Sequence, residues 1–414
     1  MAQLQRKNGF EVLRFPEFRR YAIFRFLFIV VVNMLSTLIS WKVYEITRDP
    51  LSIGLIGLVE FVPAVAMAFY AGYVIDKEDR RRILLAVISV NLLLIMAFSS
   101  ITSEYGMDRL GKPFVLSGMY AIVFCTGLAR AFSGPTSFAM LTQLVPREKI
   151  PSAITWHSGT WQVGAVTGPA LAGFLFGSMG IGFTNGLMIA CMVVALGAAF
   201  LISPKPPEGV QREESISQSI LEGFRFVWRS KEMLNLITLD LVAVFFGGAT
   251  ALLPYFADEV LQKGPEGLGV LRAAPGLGAI AVMLWLTLSP LKRAQGKWML
   301  LSVAGFGSCI IAFGLSKVFW LSFAALFLSG ALDGISVVVR STILQLRTPD
   351  SMRGRVASLN SIFIMSSNEL GAFESGFAAR LMGTVPSVVF GGAMSIFVAA
   401  ATWFRSPKLR RLEY

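Results

Sequence analysis

Charge, histidine and cysteine are scarce in this sequence of 414 residues. Asp, Glu, Lys and Arg together make up 15% of it against 55% hydrophobic residues, and Phe outnumbers Tyr 33 to 8. A water-soluble domain could not cover its surface from that composition. His157 is the single histidine, and no His and Cys cluster has metal-ligand spacing, so no metal site is expected. Cys125, Cys191 and Cys309 all fall inside apolar runs, which indicates no disulfide framework. There is no G-x-x-x-x-G-K-[ST] loop to cradle ATP phosphates, and the dispersed charges show no nucleophile beside a base. Nucleotide-driven pumping and enzymatic chemistry are therefore not expected, and no cofactor is implied.

What the chain has in abundance is apolar length. Runs of about 20 residues recur throughout, each enough to cross a hydrocarbon core of ~30 Å at ~1.5 Å per helical residue. They predict spans at roughly 21–45, 53–76, 83–103, 114–142, 153–178, 182–203, 233–256, 266–289, 298–316, 319–345, 356–382 and 386–404. The runs are continuously apolar rather than alternating at every second residue, which excludes a β-barrel and leaves helices. The fold class expected is an all-α membrane protein of twelve transmembrane helices.

Orientation follows from the 37 Lys and Arg, of which 26 fall on one side of the predicted spans, five on the other and six inside them. The cation-rich side is retained in the cytoplasm, so both termini are expected there. The net charge of +12 is thereby a topology signal, and no nucleic-acid surface is implied. The first apolar run follows Arg19 and Arg20 and ends in no small-residue cleavage site, so no cleavable signal peptide is expected.

The longest cytoplasmic connection begins with the breaker run Pro204-Lys-Pro-Pro-Glu-Gly209 and then becomes periodic. Ile216, Ile220, Leu221, Phe224, Val227 and Trp228 share one helical face, and Ser215 with Gln218 makes a capping-box pattern. An amphipathic helix on the inner leaflet is predicted, with Arg225 and Arg229 toward the headgroups. It divides the chain into an N-terminal six-helix bundle (1–203), a linker (204–232) and a C-terminal six-helix bundle (233–414).

The halves repeat each other. Gln143-Leu-Val-Pro-Arg-Glu-Lys matches Gln345-Leu-Arg-Thr-Pro-Asp-Ser, placing Pro146 and Pro349 at an offset of 203. Pro50-Leu-Ser-Ile-Gly54 matches Pro265-Glu-Gly-Leu-Gly269 at an offset of 215. At the first offset Gly168 and Gly173 fall on Gly371 and Gly376. Two pseudosymmetric bundles are implied.

Several motifs carry a resemblance that covers essentially the whole chain. Gly72-Tyr-Val-Ile-Asp76-Lys77-Glu-Asp79-Arg80-Arg81 resembles the G-x-x-x-D-R-x-G-R-[RK] loop of the major facilitator superfamily, with Lys77 for the usual Arg and Asp79 for the usual Gly. Gly164-Ala-Val-Thr-Gly168-Pro169-Ala-Leu-Ala172-Gly173 resembles that superfamily's antiporter motif, with Ala172 where Gly is usual. Phe18-Arg-Arg-Tyr-Ala-Ile-Phe-Arg25-Phe, Leu271-Arg-Ala-Ala-Pro-Gly-Leu-Gly-Ala and Leu344 to Arg355 are similar to segments of its enterobactin-exporter and drug–proton antiporter branch. The resemblance implies alternating access in a bacterial inner membrane and export of a siderophore or drug-like amphiphile, as in multidrug efflux. The partners implied are that small amphiphilic substrate, protons and the lipid bilayer, with the chain acting as a monomer. Lysophospholipid movement and ligand sensing without flux are the alternatives.

Charges inside the bilayer cost at least ~2.5–3.5 kcal/mol each unless they face a cavity or a partner. Arg25, Glu60, Arg130, Asp240, Arg272, Asp333, Arg340, Glu369 and Glu374 qualify, whereas Lys42 and Arg380 are expected to snorkel. The repeat offsets set Arg25 opposite Asp240 and Arg130 opposite Asp333, and in the superfamily the first, fourth, seventh and tenth helices line the cavity. An inner gate of these two ion pairs is therefore expected. Proton coupling needs a desolvated carboxyl, for which Glu369 is favoured over Asp240, Asp333, Glu374 and Glu60. Glu369 and Glu374 lie about 140° apart around one helix and cannot face one point. His157 is expected to be a polar residue at a helix end.

Overall fold

The computed structural model describes residues 9–206, 216–291, 293–349, 352–410 and 413. Every regular element among them is helical. Ten of the described stretches are long and apolar enough to cross a membrane. One of these, Arg147–Phe200, is 54 residues long and contains Gly180 at φ 80° and ψ 172°, where the chain turns from the fifth span into the sixth. Gly111, at φ 73° and ψ 156°, likewise separates a short leading helix from the fourth span within Glu104–Leu141. Glycine is required at both turns because a Cβ clashes in that backbone region. The 30-residue helix Arg353–Met382 supplies one more crossing, its apolar character diluted by Arg353, Arg355, Glu369, Glu374 and Arg380. With the division at Gly180, the twelve expected spans are all present as helix. The chain is a multi-pass membrane protein.

The remaining spans are Pro16–Thr47, Pro50–Lys77, Arg80–Thr102, Lys231–Phe246, Gly264–Leu288, Gln295–Leu315, Phe319–Arg347 and Thr384–Arg405. The first starts before its expected boundary because Pro16 needs no amide partner at the first helical position. The seventh departs from the single helix expected over 233–256. It stops at Phe246 and continues as a 3-10 turn at Ala249–Leu252, a short α-turn at Leu253–Tyr255 and a π-turn at Phe256–Val260. The cause is close approach: a Cβ on Gly248 would stand 2.5 Å from the Gly371 carbonyl oxygen of the eleventh span. The linker helix runs over Ile216–Arg229, with Phe224 and Trp228 exposed and stacked 5.4 Å apart and Val227 buried. Ser215, the second half of the breaker run (207–209) and the side chains of Ile216, Gln218, Ile220 and Leu221 lie outside the described residues.

The contacts divide the chain into two compact units. One unit comprises Met1–Ser36, Pro63–Gly168 and Met179–Gln211. Its interior holds Tyr21, Phe24, Phe98, Met119 and Met188. The other comprises Thr37–Val62, Pro169–Ser178 and Arg212–Tyr414, so it takes in the end of the first span, the start of the second and part of the fifth. Its core includes Phe256, Phe313, Leu268, Leu271 and Leu326, with Phe256 and Phe313 rings 4.6 Å apart.

Candidate functional site

Two helix crossings in the second unit build its polar centre. The second span meets the eleventh where a Cβ on Gly54 would come 2.9 Å from Gly376 Cα, and one on Gly57 would come 2.6 Å from the Glu369 carbonyl oxygen. The fifth span meets the eighth where a Cβ on Gly173 would come 2.7 Å from Gly269 Cα and one on Gly269 would come 2.7 Å from the Pro169 carbonyl oxygen. Gly54 and Gly269 are repeat partners, as are Gly173 and Gly376, so the crossings are two copies of one contact. Backbones this close leave room only for glycine.

At the second–eleventh crossing Glu60 lies one turn beyond Gly57, and the backbone carbonyl of Glu369 faces that glycine. Arg272, one turn beyond Gly269 on the eighth span, lies within the electrostatic reach of both carboxylates. Its Nη1 donates to Ser40 Oγ of the first span at 2.9 Å. Four spans thus contribute one cation, two acids and a hydroxyl. All three charged side chains are half-buried. With both acids ionised the cluster carries one net negative charge, and one proton neutralises it.

The other predicted charges are placed elsewhere. Asp240 of the seventh span is ion-paired to Arg340 of the tenth, and both are buried. Arg25 donates through Nε to the His157 carbonyl oxygen at 3.3 Å. Arg340 stands at the repeat position of Ser137, whose carbonyl accepts from the Tyr21 hydroxyl at 3.0 Å, so a polar tie links the first span to the fourth and the seventh to the tenth. The same Tyr21 hydroxyl is 2.6 Å from His157 Nδ1. His157 is thus a half-buried polar residue two turns inside the fifth span, held by the Tyr21 hydroxyl. Arg130 is exposed on the fourth span, Asp333 half-buried on the tenth, and Glu374 half-buried on the eleventh. Lys42 pairs with Glu45 at 2.7 Å and lies over the Phe176 ring.

Of the antiporter-like motif, Gly164 and Gly168 receive the first span, with positions for a Cβ 2.7 Å from Ile29 Cγ2 and from Asn33 Cβ. In the loop motif, Gly72 and Asp76 end the second span, Asp76 exposed, and Lys77 donates to Tyr73 Oη at 2.6 Å. Asp79 caps the third span, accepting from Arg81 N at 2.8 Å, and accepts from Lys205 N at 3.0 Å. Arg80 and Arg81 donate to the carbonyls of Pro206 and Phe200 at 3.3 and 2.5 Å, and Lys205 pairs with Glu17 at 2.7 Å. The loop thereby binds the chain leaving the sixth span. Asp before a basic helix start is an N-cap signal that would have identified Asp79 from sequence.

A further cluster was not singled out from the sequence. At the end of the first span Arg48 pairs with Asp258 and Glu259 of the π-turn that ends the broken seventh span, and Tyr44 donates to Glu259 at 3.2 Å. The Asp258 hydrogen bond raises the Arg48 pKa further above its ordinary value.

Residues 16–414 match the family model described as transmembrane secretion effector. The enterobactin exporter EntS of Shigella boydii serotype 18 is 25% identical over 400 residues, spanning 96% of this chain and 94% of its own. That of Escherichia coli O1:K1 matches at 25% over the same shares. Among solved structures, a D-xylose–proton symporter superposes with a TM-score of 0.72 at 11% identity over 97% of this chain and 99% of its own. A bacterial homologue of the human lysosomal transporter Spinster gives 0.68 at 16% over 96% and 99%. These likenesses, like the twelve spans and repeat crossings, are those of a membrane transporter for a small molecule. The chain belongs to the transmembrane secretion effector family of the major facilitator superfamily.

Proposed function

We propose that this chain is a secondary active exporter of a siderophore or drug-like amphiphile in a bacterial inner membrane, with both termini cytoplasmic, working as a monomer by proton antiport and alternating access. The observation that carries the reading is Arg272, hydrogen-bonded to Ser40 and within the electrostatic reach of Glu60 and Glu369. A charge among spans is costly, so a cluster whose net charge one proton cancels is suited to coupling proton release to substrate binding. Glu369 is the proton carrier in this reading, Glu60 shares Arg272, and Asp333 and Glu374 remain outside the cluster. Export rather than uptake follows the naming of the relatives at 25% identity.

The inner gate belongs to the same proposal. Closing the mouth by joining Arg25 to Asp240 and Arg130 to Asp333 requires Asp240 to exchange Arg340, and Arg25 to leave the His157 carbonyl. Asp76 supports that closed state. The test is flux in proteoliposomes, with enterobactin and ethidium as probes. An outward-directed load should accumulate against its gradient under an imposed proton gradient and collapse with an uncoupler. Uphill movement that persists with the uncoupler refutes antiport.

A further inference from the structure

The first unit carries a groove of about 580 Å³ between the first and fifth spans. Its walls are Ala22, Ile23 and Phe26 on one side and Trp156, Gly159 and Val163 on the other, with Leu13 and Arg19 at the N-terminal end. The two hydroxyls in the wall donate their protons to their own helix, Thr155 to Pro151 O (3.1 Å) and Thr160 to His157 O (3.0 Å). What faces the groove is apolar, and Ile23 and Val163 are each 45% exposed. A Cβ on Gly159 would meet nothing within 4 Å, so this glycine keeps the groove open rather than allowing a helix contact.

The groove's length and ends indicate its occupant. From Thr155 to Val163 is eight residues, or ~12 Å of helix, close to the ~15 Å hydrocarbon depth of one leaflet. At the mouth, exposed Arg19 is the cation, and Phe10 packs edge-on against Trp156 with ring centroids 5.7 Å apart. Trp156 is of the kind that sits at the headgroup level of membranes, where an arginine meets lipid phosphate. We propose that this groove is a binding site for an anionic phospholipid, one acyl chain lying along Gly159 and the headgroup phosphate meeting Arg19. The site is separate from the Arg272 cluster and does not depend on what the chain transports.

Native mass spectrometry of the detergent-released full chain, titrated with phosphatidylglycerol or phosphatidylcholine of matched chains, tests this. The wild type should bind phosphatidylglycerol more tightly. Arg19→Gln should weaken that binding about fivefold, the worth of one arginine at an anionic surface, and leave phosphatidylcholine unchanged. Gly159→Phe should weaken both lipids by occupying the groove. Gly186→Phe on the sixth span, where a Cβ also meets nothing within 4 Å, should alter neither. Equal affinity for the two lipids, or no loss in Gly159→Phe, overturns the proposal. So does displacement of the lipid by ethidium with unchanged affinity in Arg19→Gln, which would assign the groove to transported compounds.

Discussion

Asp240 and Arg340 offer a direct way to separate structural charge from gating charge. Their exposures are 4% and 2%, and Arg340 Nε has no hydrogen-bond partner among the described residues, so the guanidinium depends on the Asp240 carboxylate. Removing one member of a buried pair leaves an uncompensated charge and typically costs ~3–5 kcal/mol, whereas replacing both by apolar groups is often neutral. Asp240→Asn and Arg340→Met should therefore each shift the unfolding equilibrium by roughly two to three and a half orders of magnitude at ~1.4 kcal/mol per tenfold. The double variant Asp240→Leu with Arg340→Met should recover most of the loss. The assay is equilibrium unfolding in mixed micelles titrated with sodium dodecyl sulfate, followed by loss of helical circular dichroism. Arg25→Gln serves as the control pair, because in this structure Arg25 is tied to His157 and should show no stability coupling to Asp240. Single variants as stable as the wild type, or a double variant as unstable as the sum of the singles, would refute the pairing argument.

Gly173→Val would press its Cβ, already 2.4 Å from the Pro265 carbonyl oxygen, into the eighth span, and Gly376→Val would do the same to the second. Each should cost ~1–3 kcal/mol through overpacking, and should raise the labelling rate of cysteines introduced near Thr47 and Val260. Arg48→Gln should raise that labelling only a few-fold, because exposed pairs contribute ~0.2–1 kcal/mol. Asp79→Ala should lower stability by ~1 kcal/mol as a lost cap and increase proteolysis after Lys205. Glu11 is paired to Lys149, whose hydrogen bond and charge hold its carboxyl below the ordinary value. That anchoring should be complete above pH ~4.5 and lost as pH falls through the lowered value. Limited proteolysis of the N-terminus should thus be unchanged between neutral and mildly acidic buffer and rise only in stronger acid, while Lys149→Met should raise it at neutral pH.

Spans and repeat were legible because burial in lipid writes them as unbroken apolar runs and recurring Gly and Pro. The offsets identified Gly54 with Gly269 and Gly173 with Gly376 before any contact was known. They did not say that each glycine would pack against a member of the other pair, since correspondence under a symmetry is not contact. The same limit affected the charges. Arg25 and Asp240 are repeat partners, yet Asp240 pairs with Arg340 in this structure. Arg272 was visible as an intramembrane charge, but its setting comes from Ser40, Glu60 and Glu369, which only folding brings together. The break after Phe246 was hidden because an apolar run looks the same whether the helix continues or yields to the eleventh span at Gly248. The Arg48 cluster escaped notice because its acids lie just past a span end, where charge is expected and carries no signal.

In the proposed mechanism the Arg272 cluster couples proton movement to flux. Its most direct measurement is uphill transport and counterflow of labelled enterobactin in proteoliposomes, for wild type and Glu369→Gln side by side. Glu369→Gln should lose accumulation driven by an imposed proton gradient while retaining exchange of labelled for unlabelled substrate, because a permanently neutral side chain can cycle loaded but cannot release a proton. Undiminished proton-driven accumulation in Glu369→Gln and in the further variant Glu60→Gln, Glu369→Gln would contradict it.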